Sequence, residues 1–453
     1  MMSNLKEKIG YGLGDMSSSM FWKIFSYYLP FFYSNIFGLS MIDAGVLVLV
    51  TRIWDAVSDP MMGVIADRTS TRWGKYRPYL LWVAPLFSVA GILLFTTPDW
   101  EYGAKLVWAY VTYILMMTVY TAINVPYGSM LGVMTSDSQE KTVFSSFRMF
   151  FAYGGSFIAV ACWEPLCRLF GGGAHGFQMA MVVIAVACLI LFLLCFLMTK
   201  EHIYTKSTVS VGADFRSLLT NKPWWLLIGG ALGSNLFNTV RGAAVPYFFS
   251  DIIPGGATVL GVMFYAGLFL GIGEVFNMLG VALAVPLTKR MGKKSTFMLM
   301  NGLLAVFSIM FFFVPCTNTG FLLMLALQVI ISVCTGVISP LVWSMYADVS
   351  DYAELKYKTA STGLIFSSGS MSQKFGSAIG GSAIMWLLGV CGYSSENAVQ
   401  PESAIQCLWW LMSFIPALVA LLSVLVIWFY PLTTQRIEDI NSELKAKRGS
   451  MDI

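Results

Sequence analysis

The most unusual chemistry in this sequence lies in an apolar stretch that carries three charges, RIWDAVSDP, at positions 52–60. Arg52, Asp55 and Asp59 are three and four residues apart, so in a helix they share one face. Two carboxylates on one face can coordinate Na⁺ with neighbouring oxygens. They can equally hold a proton, because mutual repulsion and desolvation favour protonation of one of them. The sequence therefore predicts a cation site at Asp55 and Asp59.

Arg52 leaves one alternative open. The arginine lies three residues before Asp55, where it could form an ion pair that only neutralises buried charge. In that case Asp55 would be partly occupied by Arg52, and the carboxylate of Asp59 would remain for the cation.

The composition predicts a membrane protein with many spans. Of 453 residues, 57% are hydrophobic and only 11% are charged, whereas about 25% are charged in soluble domains. The sequence has two His, no CxxC pair among its eight Cys and no nucleotide-binding GxxxxGK[ST] motif. These absences argue against an enzyme, a metal centre or an ATP-driven pump. We therefore expect no cofactor and no nucleic-acid partner.

Long apolar segments predict twelve membrane-spanning helices, since each needs roughly 20 mostly apolar residues. Their approximate limits are 11–37, 42–66, 78–98, 105–133, 143–171, 177–199, 224–251, 258–287, 295–315, 320–347, 361–391 and 405–430. The charges of RIWDAVSDP then lie near the middle of the second span. An ionisable side chain there costs roughly 2.5–3.5 kcal/mol, so it is expected to face a partner or a wet cavity.

The distribution of Lys and Arg predicts the orientation of the chain. Basic residues concentrate at both termini and in the connections between spans 2 and 3, 6 and 7, and 8 and 9. The positive-inside rule places these segments in the cytoplasm. We therefore expect a multi-pass protein of the bacterial inner membrane with both termini cytoplasmic.

A weak internal repeat predicts two halves. GVIADRTSTRWGK (63–75) closes span 2, and GVALAVPLTKRMGKK (280–294) closes span 8, six spans later. Such repeats are typical of transporters whose substrate site lies between two bundles. The predicted parts are a six-helix bundle over 1–199, a cytoplasmic loop over 200–222, a second bundle over 223–431 and a cytoplasmic tail over 432–453.

The acidic end of span 10 predicts a cytoplasmic gate. Its carboxylates can form ion pairs with the basic loop after span 2, although a solvated helix end is the alternative interpretation. The residues expected in this gate are Arg72, Lys75, Asp348, Asp351 and Glu354.

Six segments carry a resemblance to a known family. They are YGLGD (11–15), RIWDAVSDPMMGVIADRTSTRWGKYRPYLL (52–81), YTAINVPYGSM (120–130), FRMFFA (147–152), ADVSDYAELK (347–356) and QKFGSAIGG (373–381). With them the chain resembles, over nearly its whole length, the glycoside–pentoside–hexuronide:cation symporters of the major facilitator superfamily. The resemblance implies an all-α membrane fold of two pseudo-symmetric six-helix bundles. It also implies uptake of a sugar coupled to H⁺ or Na⁺ by alternating access.

The resemblance also implies roles for individual residues. It adds Thr121 to the cation site at Asp55 and Asp59. The residues expected at the sugar are Asp15, Ser19, Tyr120, Asn124, Arg148, Trp343, Ser370 and Lys374. The partners are then a sugar, a coupling cation and the lipid bilayer, and a monomer is expected.

Two additional cations inside the predicted spans bear on the choice of substrate. Lys23 and Arg241 would suit an acidic sugar, such as a hexuronide or a sulfated sugar. The alternatives to a coupled sugar carrier are a carrier of the same fold for a nucleoside or lipid-like solute, and an uncoupled uniporter.

Overall fold

The computed structural model describes residues 5–135, 138–202, 219–253, 256–259, 262–357, 362–397 and 399–449, and most of them are helical. Each predicted span overlaps a helix, and the first and the twelfth overlap more than one. The longer helices are α1 (Leu5–Tyr27), α2 (Met41–Arg68), α3 (Arg77–Leu94), α4 (Tyr102–Met134), α5 (Ser138–Leu169), α6 (Gly173–Met198), α7 (Lys222–Asp251), α8 (Ala266–Met291), α9 (Lys293–Phe312), α10 (Asn318–Tyr357), α11 (Thr362–Val390), α12 (Glu402–Met412), α13 (Phe414–Trp428) and α14 (Thr434–Gly449). Between α1 and α2, a single α-helical turn (Leu29–Phe31) continues into a π-helical turn (Phe32–Ile36).

Hydropathy separates these helices into two groups. Within the part of the chain that is described, eight segments are long and apolar enough to cross a membrane. They correspond to α3, α4, α5, α6, α8, α9, α10 and the joined pair α12–α13. The remaining long helices, α1, α2, α7 and α11, carry ionisable residues near their middle. Most of the candidate site lies on α1, α2 and α11 of this polar group.

The predicted start of span 8 is wrong. Residues 258–265 are expected to be helical, but β1 (Ala257–Val259) and β2 (Val262–Phe264) pair as antiparallel strands, and α8 begins only at Ala266. Residues 260 and 261 lie outside the described part of the chain. The segment is short, apolar and rich in β-branched residues, and Gly256 precedes it in the left-handed region at φ +84°. Such runs favour strands, and hydrophobicity alone does not distinguish them from a helix end.

The twelfth span is broken at Ser413, between α12 and α13. Pro416 has no N–H to donate to the carbonyl of Met412, four residues earlier. The Arg241 guanidinium donates to that carbonyl instead, and also to Gln328 Oε1 at 3.0 Å. Arg241 is buried and lies 4.7 Å from the centre of the Phe311 ring. Its role is therefore structural, and it offers no positive charge to a substrate.

The chain divides into two compact units, which we describe separately. The first comprises the described residues of Met1–Ser207, Gly242–Val275 and Gly381–Leu408, and the second those of Thr208–Arg241, Phe276–Gly380 and Trp409–Ile453. In the first unit α1 packs against α5 and α6, and α4 packs against α2 and α3. In the second unit α9 packs against α10 and α13, and α14, in the predicted tail, packs against α10. The predicted boundaries at 199, 222 and 431 stay predictions.

Candidate functional site

The two acids of α2 converge on one hydroxyl group of α4. Thr121 Oγ1 lies 3.0 Å from Asp55 Oδ1 and 2.9 Å from Asp59 Oδ1. Thr121 has one proton and can satisfy only one of these carboxylates at a time. Asp55 is fully buried and Asp59 is half-buried, so both carboxylates are at least partly shielded from water. A bound cation or an additional proton would relieve their repulsion.

A second hydroxyl extends this oxygen cluster. Ser58 Oγ lies 3.3 Å from Thr121 Oγ1 and 3.1 Å from the backbone oxygen of Asp55. Carboxylate and hydroxyl oxygens are hard ligands, which suit Na⁺ or a proton. Among the described residues, no group of three or more His, Cys, Asp or Glu is placed to hold a metal ion. Ser58 is not among the residues predicted for this site, although it directly precedes Asp59 in the sequence.

Arg52 has an aromatic partner. Its guanidinium carbon lies 4.5 Å from the centre of the Trp22 ring, and Trp22 in turn lies 5.5 Å from Tyr120. The side chain is buried, and its Nε and Nη1 have no hydrogen-bond partner among the described residues. The Trp22 ring thus holds the guanidinium by a cation–π contact. An ion pair between Arg52 and Asp55 stays an alternative.

Several of the predicted sugar residues meet along α1. Arg148 Nε lies 3.0 Å from Asp15 Oδ2, and the guanidinium lies 5.6 Å from the Tyr127 ring. Ser18, which was not assigned to the site, donates to Asn124 Oδ1 at 3.0 Å. Asn124 is three residues after Thr121 on α4, so the sugar candidates and the cation cluster share a helix face.

The same face of α1 carries a second ion pair. Asp15, Ser19 and Lys23 follow one another at intervals of four residues, which aligns them along the helix. Lys23 Nζ lies 2.6 Å from an oxygen of Glu274 on α8, and Tyr27 donates to that oxygen at 3.0 Å. Glu274 is not among the predicted site residues, because its partner is 251 residues away in the sequence.

The remaining predicted sugar residues lie in the second unit. The half-buried Trp343 ring on α10 lies 5.8 Å from Tyr346. On α11, Ser370 is exposed and Lys374, one turn later on the same face, is half-buried. Their joint action with the residues of the first unit stays a prediction.

The loop after α2 is organised by a residue that the sequence analysis missed. The backbone N–H groups of Lys75, Tyr76 and Arg77 donate to the Glu201 carboxylate at 2.7–2.8 Å, at the start of α3. A carboxylate satisfies the free N–H groups there and interacts favourably with the helix dipole. Gly74 is required, because its φ is +115° and a Cβ atom would overlap Glu201. The feature of the sequence that could have indicated this role is that Glu201 is an acidic residue next to a basic segment.

The predicted gate residues lie in both units. In the first, Arg72 is exposed and lies 4.3 Å from the Trp73 ring, and Lys75 Nζ lies 4.9 Å from the Tyr76 ring. In the second, Asp348 pairs at 2.7 Å with Lys293 of its own predicted half. Asp351 and Glu354 follow on α10. Ion pairing between these two groups stays a prediction.

Ionisable side chains buried among apolar helices are typical of membrane transporters. The chain belongs to the MFS/sugar transport protein family, whose sequence pattern it matches over residues 10–434. It is a multi-pass membrane protein.

The relatives include sugar carriers. The chain is 35% identical to a putative glycoside/cation symporter, YagG, of Escherichia coli (strain K12), over 98% of this chain and 96% of that protein. It is 34% identical to an isoprimeverose transporter of Lactiplantibacillus pentosus, over 94% and 88%. It is 30% identical to a glucuronide carrier protein homolog of Escherichia coli (strain K12), over 97% and 95%. The nucleoside transporter NupG shares the fold, with a TM-score of 0.67 and 15% identity over 95% and 100%.

Proposed function

We propose that this protein is a secondary active symporter, which takes up a sugar together with a monovalent cation by alternating access. The observation that carries the proposal is the single Thr121 hydroxyl shared by Asp55 and Asp59. Two carboxylates held this close in a buried site are stabilised by a positive charge. The relatives named as glycoside/cation symporter and isoprimeverose transporter support the sugar as the cargo.

Cation binding prepares the protein for the sugar. Without a cation, the repulsion between Asp55 and Asp59 opposes closure of the site around a dry interior. A cation removes that repulsion and fixes Thr121. Because Asn124 lies one turn further along α4 and accepts from Ser18 of α1, the ordered helix also fixes the hydrogen-bonding groups for the sugar.

The pairing of charges favours a neutral glycoside or pentoside over an acidic sugar. Lys23 is paired with Glu274, and Arg148 with Asp15, while Arg241 is buried around a backbone carbonyl. At Lys23 or Arg148, an acidic substrate would have to displace a paired carboxylate. A neutral sugar needs only donors, acceptors and an aromatic surface, and Ser18, Asn124 and Trp22 are such groups.

The location and orientation complete the proposal. Basic residues at both termini and in alternate loops favour an inner-membrane protein with both termini in the cytoplasm. We propose that the protein works as a monomer, with Na⁺ or H⁺ as the coupling ion and no cofactor.

The test is uptake by vesicles that contain the purified full-length protein. A panel of neutral glycosides, pentosides and glucuronides is offered under an imposed Na⁺ or H⁺ gradient. We expect uphill accumulation of a neutral sugar under one of the two gradients. Asp59→Asn should abolish accumulation while sugar exchange at equal concentrations remains, because the substitution removes a cation ligand but not the sugar contacts.

The matched control is Asp43→Asn, which changes a half-buried acid in the first turn of the same helix and should leave accumulation intact. Unchanged accumulation by Asp59→Asn would refute the cation site. Preferred accumulation of glucuronides would refute the neutral substrate class.

A further inference from the structure

The buried ion pair between α1 and α8 is not used by the proposed cation or sugar contacts. Lys23 Nζ lies 2.6 Å from Glu274 Oε1 and 3.0 Å from the Tyr27 hydroxyl. The Glu274 side chain is 2% exposed and that of Lys23 is 23% exposed. The Lys23 ammonium also lies 5.1 Å from the Tyr27 ring. We call Lys23, Tyr27 and Glu274 the triad.

The triad is suited to open and close. The second oxygen of Glu274 is buried without a hydrogen-bond partner among the described residues. A buried ion pair gains Coulomb energy but loses hydration, so the two contributions nearly cancel. If Lys23 and Glu274 separate and water enters, both charges regain their hydration. If one partner is instead removed by mutation, the other charge stays buried without a counter-charge while the pair's site is closed. Such a pair can therefore exist in either of two states at moderate cost.

The triad lies on a line of contacts within the first unit that joins elements of the two predicted six-helix halves. Glu164 of α5 accepts from the Gly267 N–H in the first turn of α8 at 3.1 Å and from the Tyr28 hydroxyl at 3.1 Å. A Cβ atom on Gly267 would overlap the Val160 carbonyl, so the two helices touch at this point. The Tyr265 hydroxyl donates to the carbonyl of Ala161 at 2.5 Å.

The same line continues beyond the end of α1. Asn35 donates to the Tyr393 hydroxyl at 2.9 Å, and Tyr393 donates to Asp251 at 2.8 Å. Burial, together with the nearby Asp251 carboxylate, raises the pKa of Tyr393 far above its ordinary value, so the hydroxyl keeps its proton and remains a donor. Ser34 and Tyr247 share a further hydrogen bond of 2.7 Å. These groups lie at the helix ends that the positive-inside rule places outside.

We propose that Lys23, Tyr27 and Glu274 are positioning residues that hold the outer side of the transporter closed, and that their separation admits the sugar. The proposal rests on the proposed transport function. Lys23 lies two turns from Asp15 on one face of α1. If the sugar binds near Asp15 and moves α1, Lys23 therefore moves with the helix relative to Glu274.

The test measures access to the outer side in vesicles that contain the full-length protein with its native cysteines replaced. Ser34→Cys provides a reporter, since Ser34 is buried on the line of contacts, and a membrane-impermeant maleimide is added from outside. Glu274→Gln should accelerate labelling about tenfold, which corresponds to a loss of about 1.4 kcal/mol from the closed state. The exchanged pair Lys23→Glu with Glu274→Lys should restore slow labelling, which a general loss of folding would not do.

Two further variants keep the result unambiguous. Tyr27→Phe removes only one hydroxyl and should accelerate labelling to a smaller extent, even if Glu274→Gln does not fold. Asp43→Asn is the matched control, because it removes the charge of the group that accepts from Tyr102 within one predicted half and should not change the labelling rate. Unchanged labelling in Glu274→Gln and Tyr27→Phe, with sugar uptake intact, would refute the triad. Faster labelling of these variants, together with no sugar uptake by the native protein, would instead refute the proposed function.

Discussion

Thr121 contacts both acids of the proposed cation site and so connects them. Asp55 and Asp59 lie on the same helix, and the Thr121 hydroxyl from α4 lies within 3.0 Å of an oxygen of each. Hydrogen bonds to charged groups contribute about 1.5–3 kcal/mol each. The side chain of one threonine should therefore control the affinity for the cation.

We expect Thr121→Val to weaken cation binding about tenfold or more, because valine has the shape of threonine but no oxygen. The measurement is the cation concentration that gives half-maximal sugar uptake. Thr121→Ser keeps the hydroxyl and should remain close to the native value. Equal behaviour of the valine and serine variants would show that the hydroxyl is not a ligand.

The residue scale also shows what the sequence could predict. The i, i+4 spacing of Asp55 and Asp59 predicted their common face without other information. The contacts with Thr121 and between Lys23 and Glu274 span 66 and 251 positions, and no local pattern encodes such distances. The first was found only through the family resemblance. The second was missed, because a single buried acid does not identify its partner.

At the scale of the helices, the apolar segments predicted where the membrane-crossing elements lie but not how they begin and end. The antiparallel strands before α8 were taken for helix, because their residues are as apolar as those of a span. The break between α12 and α13 follows from Pro416, yet its consequence depends on Arg241, which is 171 positions away from the carbonyl it satisfies.

The helix break gives a prediction about stability. Arg241→Met should lower the free energy of unfolding by about 1–3 kcal/mol, since the Met412 carbonyl and the Gln328 side chain lose their donor. Thermal unfolding of the purified protein in detergent measures the change. Adding Pro416→Ala should recover part of the loss, because alanine supplies the missing helix N–H. Additive effects of the two substitutions would contradict this account.

At the scale of the whole molecule, the cation and the sugar are connected by α4, where Thr121 and Asn124 are one turn apart. Two ligands that stabilise the same arrangement must strengthen each other equally, because coupling of binding free energies is reciprocal. A saturating concentration of the coupling cation should therefore tighten sugar binding by about tenfold, within the usual range of 5–150-fold. A saturating concentration of sugar should tighten cation binding by the same factor.

Calorimetric titration of the purified protein measures both factors. Asp59→Asn should reduce the ratio of sugar affinities with and without cation to near one, while sugar binding itself persists, since Asn124 and Ser18 are unchanged. Glu274→Gln should retain the ratio, because the triad controls access to the site and not the contact between the two ligands. If the ratio is unchanged in Asp59→Asn, the coupling ion does not bind at the carboxylates of α2. A ratio that disappears in Glu274→Gln would make the triad part of the coupling itself.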